Sequence, residues 1–285
     1  MRSFVSEYDL TIAKTLPEAL DFLSANEGWR PIAGGTDLMV LFNAGKLPYR
    51  RLVSIRNIPE LAEIAMFESE VFIGAAASYT SIRNHRVLQS EFPLLCEAAS
   101  WTGGIANQNR GTIGGNIANA SPAADSAPVL LAYDAELELT SRDNVRWLPY
   151  SAFHLGYKQM ELRCDELISR IRLPRCSQKL VQYARKVGTR KAQAISKVCF
   201  AGVAELNDCL VQKVRIALGS VAPVPLRCYA TEAVLEGRAV EPEVAAEAKE
   251  TLRRDIKPIS DIRSTERYRT QVAVNLLGEF LESVR

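Results

Sequence analysis

Histidine is almost missing from this 285-residue chain, which holds only His85 and His154. A histidine-rich metal centre or a Ser-His-Asp triad therefore has almost nothing to draw on. His85 lies in the polar run Ser81-Ile-Arg-Asn-His-Arg86 and reads as a surface residue rather than a base. Close cysteine pairs are also absent. The six cysteines (Cys96, Cys164, Cys176, Cys199, Cys209, Cys228) are far apart with no C-x-x-C, which argues against a zinc site, an iron-sulfur cluster or a redox dithiol within this chain. They are read as small buried apolar side chains in a reducing compartment. No apolar run approaches the ~18 to 20 residues that a bilayer demands; residues 127–133, for example, stop at Asp134, so no membrane span is expected. Neither sign of charge dominates. With 35 Lys+Arg against 33 Asp+Glu the formal charge is +2, and the lack of like-charge blocks leaves no electrostatic footprint for nucleic acid or anionic lipid. The first ten residues carry Glu7 and Asp9 without an apolar stretch and cleavage site, so no secretory signal is read and a cytoplasmic protein is expected. Redox or group-transfer chemistry on such a chain has to come from a bound cofactor.

What is present is ordinary globular material, 47% hydrophobic and 24% charged, in an amount that favours two domains. Thr15-Leu-Pro-Glu18 is a capping-box pattern, and Ala19, Leu20, Phe22 and Leu23 then give one apolar face, so a helix is predicted over residues 16–25, ended by Gly28. Strands are predicted at 29–33 and 51–55, completing a small α/β unit that ends near residue 57. A strand beginning at Val71, a polar turn near Thr80 and a helix over 93–100 follow. After a glycine-rich stretch come strands at 134–140 and 167–174, the latter closed by Pro174, with a domain boundary at 174–180. The remainder reads as two strands, 197–206 and 210–219, joined through Asn207-Asp208, and two helices. The first of these covers 241–254; the second opens at Ser264 as candidate N-cap and carries Tyr268, Val272, Leu276 and Phe280 at helical spacing.

The informative feature is glycine placement. Five of the sixteen glycines (Gly103, Gly104, Gly111, Gly114, Gly115) fall within residues 103–115, where even scatter would put fewer than one. Glycine lets backbone approach a ligand closely, and successive N–H groups in such turns make a concavity suited to phosphate. Arg110 adds a guanidinium to the same stretch. A second such place is Ala33-Gly-Gly-Thr-Asp37, directly after a predicted strand. Neither matches G-x-G-x-x-G or G-x-x-x-x-G-K-[ST], so a nucleotide site here is of another kind. The residues by themselves reach two glycine bends that could jointly hold a diphosphate, against the alternative that they only make tight turns.

The pair Pro31-Ile-Ala-Gly-Gly-Thr-Asp-Leu38 and Gly111-Thr-Ile-Gly-Gly-Asn-Ile-Ala-Asn-Ala-Ser-Pro-Ala-Ala-Asp125 resembles the FAD-binding medium subunit of the molybdenum hydroxylases, the family of xanthine dehydrogenase and aerobic carbon monoxide dehydrogenase. The likeness continues through residues 165–168, 186–197 and 261–269 and so covers essentially the whole chain. It implies an α+β fold: a two-subdomain FAD-binding domain of the vanillyl-alcohol oxidase type over residues 1–176 (subdomains about 1–57 and 58–176), then a smaller α+β domain over 177–285 like the carbon monoxide dehydrogenase flavoprotein C-terminal domain. By position, Arg30, Pro31, Ile32, Ala33, Gly34, Gly35, Thr36 and Asp37, with Thr112, Ile113, Gly114, Gly115 and Asn116, would contact FAD chiefly through backbone amides, aided by the Thr36, Thr112 and Asn116 side chains. Asp125 matches an acidic position near the flavin nucleotide, although a surface turn residue after Pro122 needs no such role. Leu167 or Ile168 would pack against the cofactor or simply fill a core strand. Arg185 or Lys186 corresponds to a basic position that reaches FAD, with Lys186 preferred; either could instead belong to a solvated cationic face. The chain lacks the cysteine-bearing insertion that some relatives use for an additional cluster.

The resemblance also implies a task. Electrons leave a molybdopterin-molybdenum centre on a large partner subunit, cross 2Fe-2S clusters on a small partner subunit, and arrive at the FAD held here, from which NAD or another acceptor takes a pair. No side-chain acid, base or nucleophile is required, in keeping with the shortage of histidine. The alternatives are a self-sufficient flavin oxidoreductase of the vanillyl-alcohol oxidase fold acting on its own small substrate, and a non-catalytic scaffold whose bends hold nothing.

Overall fold

The computed structural model describes residues 5–25, 28–176, 180–190 and 193–285. Residues 177–179 of the expected boundary, and Lys191 and Ala192 of the 186–197 motif, lie outside the described residues.

The chain opens with a three-stranded parallel sheet in the spatial order Asp9–Ile12, Arg51–Ser54, Trp29–Ile32. Parallel neighbours need crossovers, and helices Leu16–Ser24 and Leu38–Asn43 supply them. The Thr15 hydroxyl accepts the Glu18 N–H at 3.3 Å as expected, but the Glu18 carboxylate reaches back one residue further, to the Lys14 N–H at 2.7 Å. Ala19, Leu20 and Leu23 are buried against Val53 and Ile55, while Phe22 lies half-buried beside Trp29.

The next part is a five-stranded antiparallel sheet in the order Ile64–Met66, Glu70–Gly74, Leu167–Pro174, Glu136–Thr140, Val145–Pro149. Six short helices are inserted between the second strand and the fourth. Two of the expected irregular segments are helical: the turn near Thr80 is the helix Tyr79–Asn84, and the glycine-rich stretch folds into Ile105–Arg110 and Ile113–Ala118. Helix Ser126–Ala132 is buried at every residue and touches both this sheet's core and the next sheet; its sequence is apolar after Ser126, whose hydroxyl is hydrogen-bonded to Asn116.

A four-stranded antiparallel sheet follows, in the order Leu180–Val187, Val198–Asn207, Leu210–Gly219, Leu226–Arg227. The hairpin turns at Asp208-Cys209 rather than Asn207-Asp208; both residues have positive φ (48° and 65°), as a two-residue loop matched to strand twist requires. Helices Pro242–Asp255 and Glu266–Val284 enclose this sheet's core. The last helix is capped by Thr265, not Ser264: its hydroxyl accepts the Tyr268 N–H at 3.2 Å. Phe280 is fully buried between Phe200 and Tyr183, with its ring 2.9 Å from where a Cβ on Gly202 would stand. The cysteines depart from expectation, since only Cys199 and Cys228 are buried and Cys164, Cys176 and Cys209 are exposed. Among the described residues no helix is long and apolar enough to cross a membrane.

Removing the Phe280 ring should cost about 3–5 kcal/mol through lost burial and a cavity that the sheet and helix cannot close; urea unfolding of Phe280→Ala measures it. His154 accepts a bond of 3.0 Å from, or donates it to, the Tyr150 hydroxyl, and burial pushes its pKa from the ordinary 6.5 down to about 4. Between those values the unfolded chain binds a proton that the folded one refuses, so stability should rise with pH across that window. Comparing denaturation midpoints at mildly acid and neutral pH, His154→Gln should show a smaller acid loss than the parent.

Candidate functional site

Strand Trp29–Ile32 ends, and the chain turns through residues 33–37 with Gly35 at φ +73° before entering helix Leu38–Asn43. Met39 is the first residue to bond back, through its N–H to the Gly35 carbonyl at 2.9 Å. The amides of Gly34, Gly35, Thr36, Asp37 and Leu38 have no intrachain acceptor among the described residues, and the Asp37 side chain does not cap the helix. Five successive free N–H groups form an anion-seeking concavity at the C-terminal end of parallel strands, where α/β sheets commonly bind ligands.

The second bend meets the first here. A Cβ on Gly34 would lie 2.0 Å from the Arg110 carbonyl oxygen and 2.9 Å from Gly111 Cα, so the two backbones are in direct contact. Unlike the first bend, the second has spent most of its donors internally. The Gly111 N–H goes to the Asn107 carbonyl (2.6 Å), Ile113 to Ala77 (3.1 Å), Gly114 to Ala75 (2.8 Å) and Asn116 to Thr112 (3.0 Å). The Gly115 N–H goes to the Thr112 hydroxyl (3.2 Å), leaving only the Thr112 amide open in this run. The expected row of second-bend donors is therefore largely closed, because a short helix and its contact with residues 75–77 use them. Gly114 is buried, with Ala75 Cβ 2.5 Å from where its own Cβ would be; this glycine serves packing.

The remaining expected residues separate into groups. Lys186 Nζ is nearly buried and donates to the Asp125 carboxylate (2.6 Å) and to the Trp101 carbonyl (3.0 Å). The other Asp125 oxygen accepts from the Ser196 hydroxyl at 2.5 Å. Burial pushes the Asp125 carboxyl pKa up, opposed by the Lys186 charge and by the bonds from Lys186 and Ser196. Arg185, one residue earlier on the strand, faces the other way and pairs with Glu279 of helix Glu266–Val284 at 2.5 Å. Asn116 Oδ1 accepts from the Ser126 hydroxyl (3.1 Å), which is 3.3 Å from the buried Tyr79 hydroxyl. Leu167 sits in the small first core and Ile168 in the larger one, both as core strand residues. The following Ser169 carbonyl holds the Ala75 N–H at 2.9 Å and so anchors the segment on which Gly114 rests. Arg30 lies over Tyr49 and bonds its neighbour Trp29, while Asp37 accepts from Asn119 at 3.4 Å. Pro31 and Ile32 are half-buried in their strand, Ala33 is half-buried just beyond it, and Thr36 is exposed.

Ser126 and Tyr79 carry parts of this network from outside the sequence motifs, and Ser196, inside the 186–197 motif, was given no role there; only the fold brings Ser196 to Asp125 across 71 positions of sequence. Gly34→Ala should wedge the bends apart, because backbone cannot retreat as a flexible side chain can. The expected result is a folded chain by circular dichroism with flavin retention strongly reduced, measured by absorbance after purification.

Comparison with known proteins places this geometry in a family. The "FAD binding domain in molybdopterin dehydrogenase" matches residues 6–176, and the "CO dehydrogenase flavoprotein C-terminal domain" matches residues 183–284. Relatives include the xanthine dehydrogenase FAD-binding subunit of Escherichia coli O157:H7, 32% identical over 90% of this chain and 89% of that one. The glyceraldehyde dehydrogenase medium chain of Sulfolobus acidocaldarius is 29% identical over 93% and 94%. Among solved structures, carbon monoxide dehydrogenase from Hydrogenophaga pseudoflava, in a form lacking the Mo-pyranopterin moiety of its molybdenum cofactor, superimposes with a TM-score of 0.93 at 28% identity, covering 98% of this chain and 97% of that chain. The fold is thus the expected FAD-binding domain followed by a flavoprotein C-terminal domain, and the chain belongs to the FAD-binding subunit family of the molybdopterin dehydrogenases.

Proposed function

We propose that this chain is the electron-transfer subunit of a cytoplasmic molybdenum hydroxylase complex, with FAD lying along the contact between the two bends. The carrying observation is the free amide run 34–38 beside the Gly34 to Arg110 backbone contact. The residues fit the group: the bend closes to backbone dimensions, and its donors match a diphosphate. FAD supplies chemistry that no side chain here offers, the exchange of electrons one at a time on one side and in pairs on the other.

The chain's own part is to bind and orient. Amides 34–38 and the Thr112 amide would hold the diphosphate, with the Thr36 and Asn116 side chains as further polar contacts. The Asp125 and Lys186 pair would set the polar edge of the site; its buried bonds to Ser196 and Trp101 fix both charges in place. Arg185, drawn to Glu279, is not assigned to FAD. The donors of electrons would be 2Fe-2S clusters on a small partner subunit, fed by a molybdopterin-molybdenum centre on a large one, and the acceptor NAD or another oxidant. Relatives named as subunits and medium chains support this division of labour.

The test is purification with the native partners. A yellow preparation that releases FAD on denaturation and contains iron and molybdenum in fixed ratio is expected; a colourless one, or one whose flavin is reduced directly by a small substrate without partners, contradicts the reading. Stopped-flow reoxidation with NAD, quinone and oxygen then identifies the acceptor.

A further inference from the structure

Two arginines, Arg56 and Arg110, leave the backbone next to the meeting point of the bends and have no carboxylate partner among the described residues. Arg56 follows strand Arg51–Ser54, whose continuation is tied to the end of the neighbouring parallel strand by the Ile55 N–H to Ile32 carbonyl bond of 3.0 Å. It therefore leaves the sheet beside the bend at residues 33–37. Arg110 ends helix Ile105–Arg110, and its carbonyl is the group that a Cβ on Gly34 would strike. Among the described residues neither side chain has an ion pair or hydrogen bond. Elsewhere this fold pairs its arginines closely, as in Arg146 with Glu166 (2.7 Å), Arg170 with Glu138 (2.6 Å) and Arg175 with Glu91 (2.7 Å). Burial, and after it the Arg110 charge, holds the Arg56 guanidinium below its ordinary range, which an anion between the two would relieve.

We propose that Arg56 and Arg110 form a two-guanidinium clamp for a diphosphate, completing the concavity made by the amides of residues 34–38. Planar forked donors suit phosphate oxygens, and two of them balance the charge that amide dipoles only partly offset. The clamp deepens the function proposed above and rests on it for the identity of the ester as FAD; inorganic diphosphate shares the chemistry.

The test uses the full chain stripped of flavin, as parent, Arg56→Gln, Arg110→Gln, the double variant and Arg56→Lys. Each is titrated with FAD, with riboflavin and with inorganic pyrophosphate at several salt concentrations. Each single Gln substitution should weaken FAD about tenfold at low salt, as loss of a charge-assisted bond does. The difference should narrow as salt rises, Arg56→Lys should recover part of it, and riboflavin binding should hardly move. Pyrophosphate should raise the melting temperature of the parent and not of the double variant. A double variant that binds FAD as tightly as the parent at every salt concentration overturns the clamp, as does equal weakening of FAD and riboflavin. A parent that ignores FAD yet is protected by pyrophosphate, with protection lost in the double variant, keeps the clamp and overturns the flavin reading instead.

Discussion

The contact between Gly34 and the Arg110-Gly111 backbone is the constraint around which the rest is arranged. A single added carbon at Gly34 would stand 2.0 Å from the Arg110 carbonyl oxygen, far inside van der Waals contact, so the parallel sheet and the helical insertion can meet there only as bare main chain. That approach places one bend with free amides against another whose amides are already used. The asymmetry gives the two bends different tasks: the first presents donors, and the second fixes where they point.

Holding the second bend still requires a chain of supports. The Gly114 N–H binds Ala75, the Ala75 N–H binds Ser169, and Ser169 sits where the central strand of the antiparallel sheet shifts register. Helix Ser126–Ala132 then joins this sheet to the one that follows, and Lys186 reaches back from that third sheet to Asp125 at the start of the helix. Arg227 bonds the Leu131 carbonyl, and Arg215 and Arg227 both pair with Asp134, whose positive φ of 51° turns the chain just beyond the same helix. The supports of the second bend thus draw on both of the larger antiparallel sheets, and rigidity comes from buried bonds such as Lys186 to Asp125 whose loss would leave a charge unpaired.

Much of this was legible from residue order. The capping pattern at Thr15, the long hairpin, the terminal helix and the clustering of glycines all rest on local chemistry, and each appears in the fold, some displaced by one residue. The N-cap moved from Ser264 to Thr265 because both hydroxyls suit a cap and the Asp261–Arg263–Ser264 turn engages the earlier one's backbone. The helix at 113–118 was hidden because its Gly114 and Gly115 disfavour helix, a preference that bonds to the Ala75 and Ala77 carbonyls overrode; the helix at 105–110, free of glycine but flanked by it, was hidden by its two asparagines and is held by Thr80 and Arg83. Exposure of three cysteines was equally hidden, since a cysteine's burial depends on neighbours distant in sequence.

By itself the sequence determined that two glycine bends exist, that a borrowed cofactor must supply any redox chemistry, and which family the motifs resemble; these follow from residue type and spacing alone. Tertiary structure decided which bend keeps its amides free, which of Arg185 and Lys186 turns inward, and that Arg56 leaves the sheet beside the bend at residues 33–37. Those outcomes depend on strand register and on which hydrogen bonds are completed inside the fold, quantities that no stretch of neighbouring residues contains.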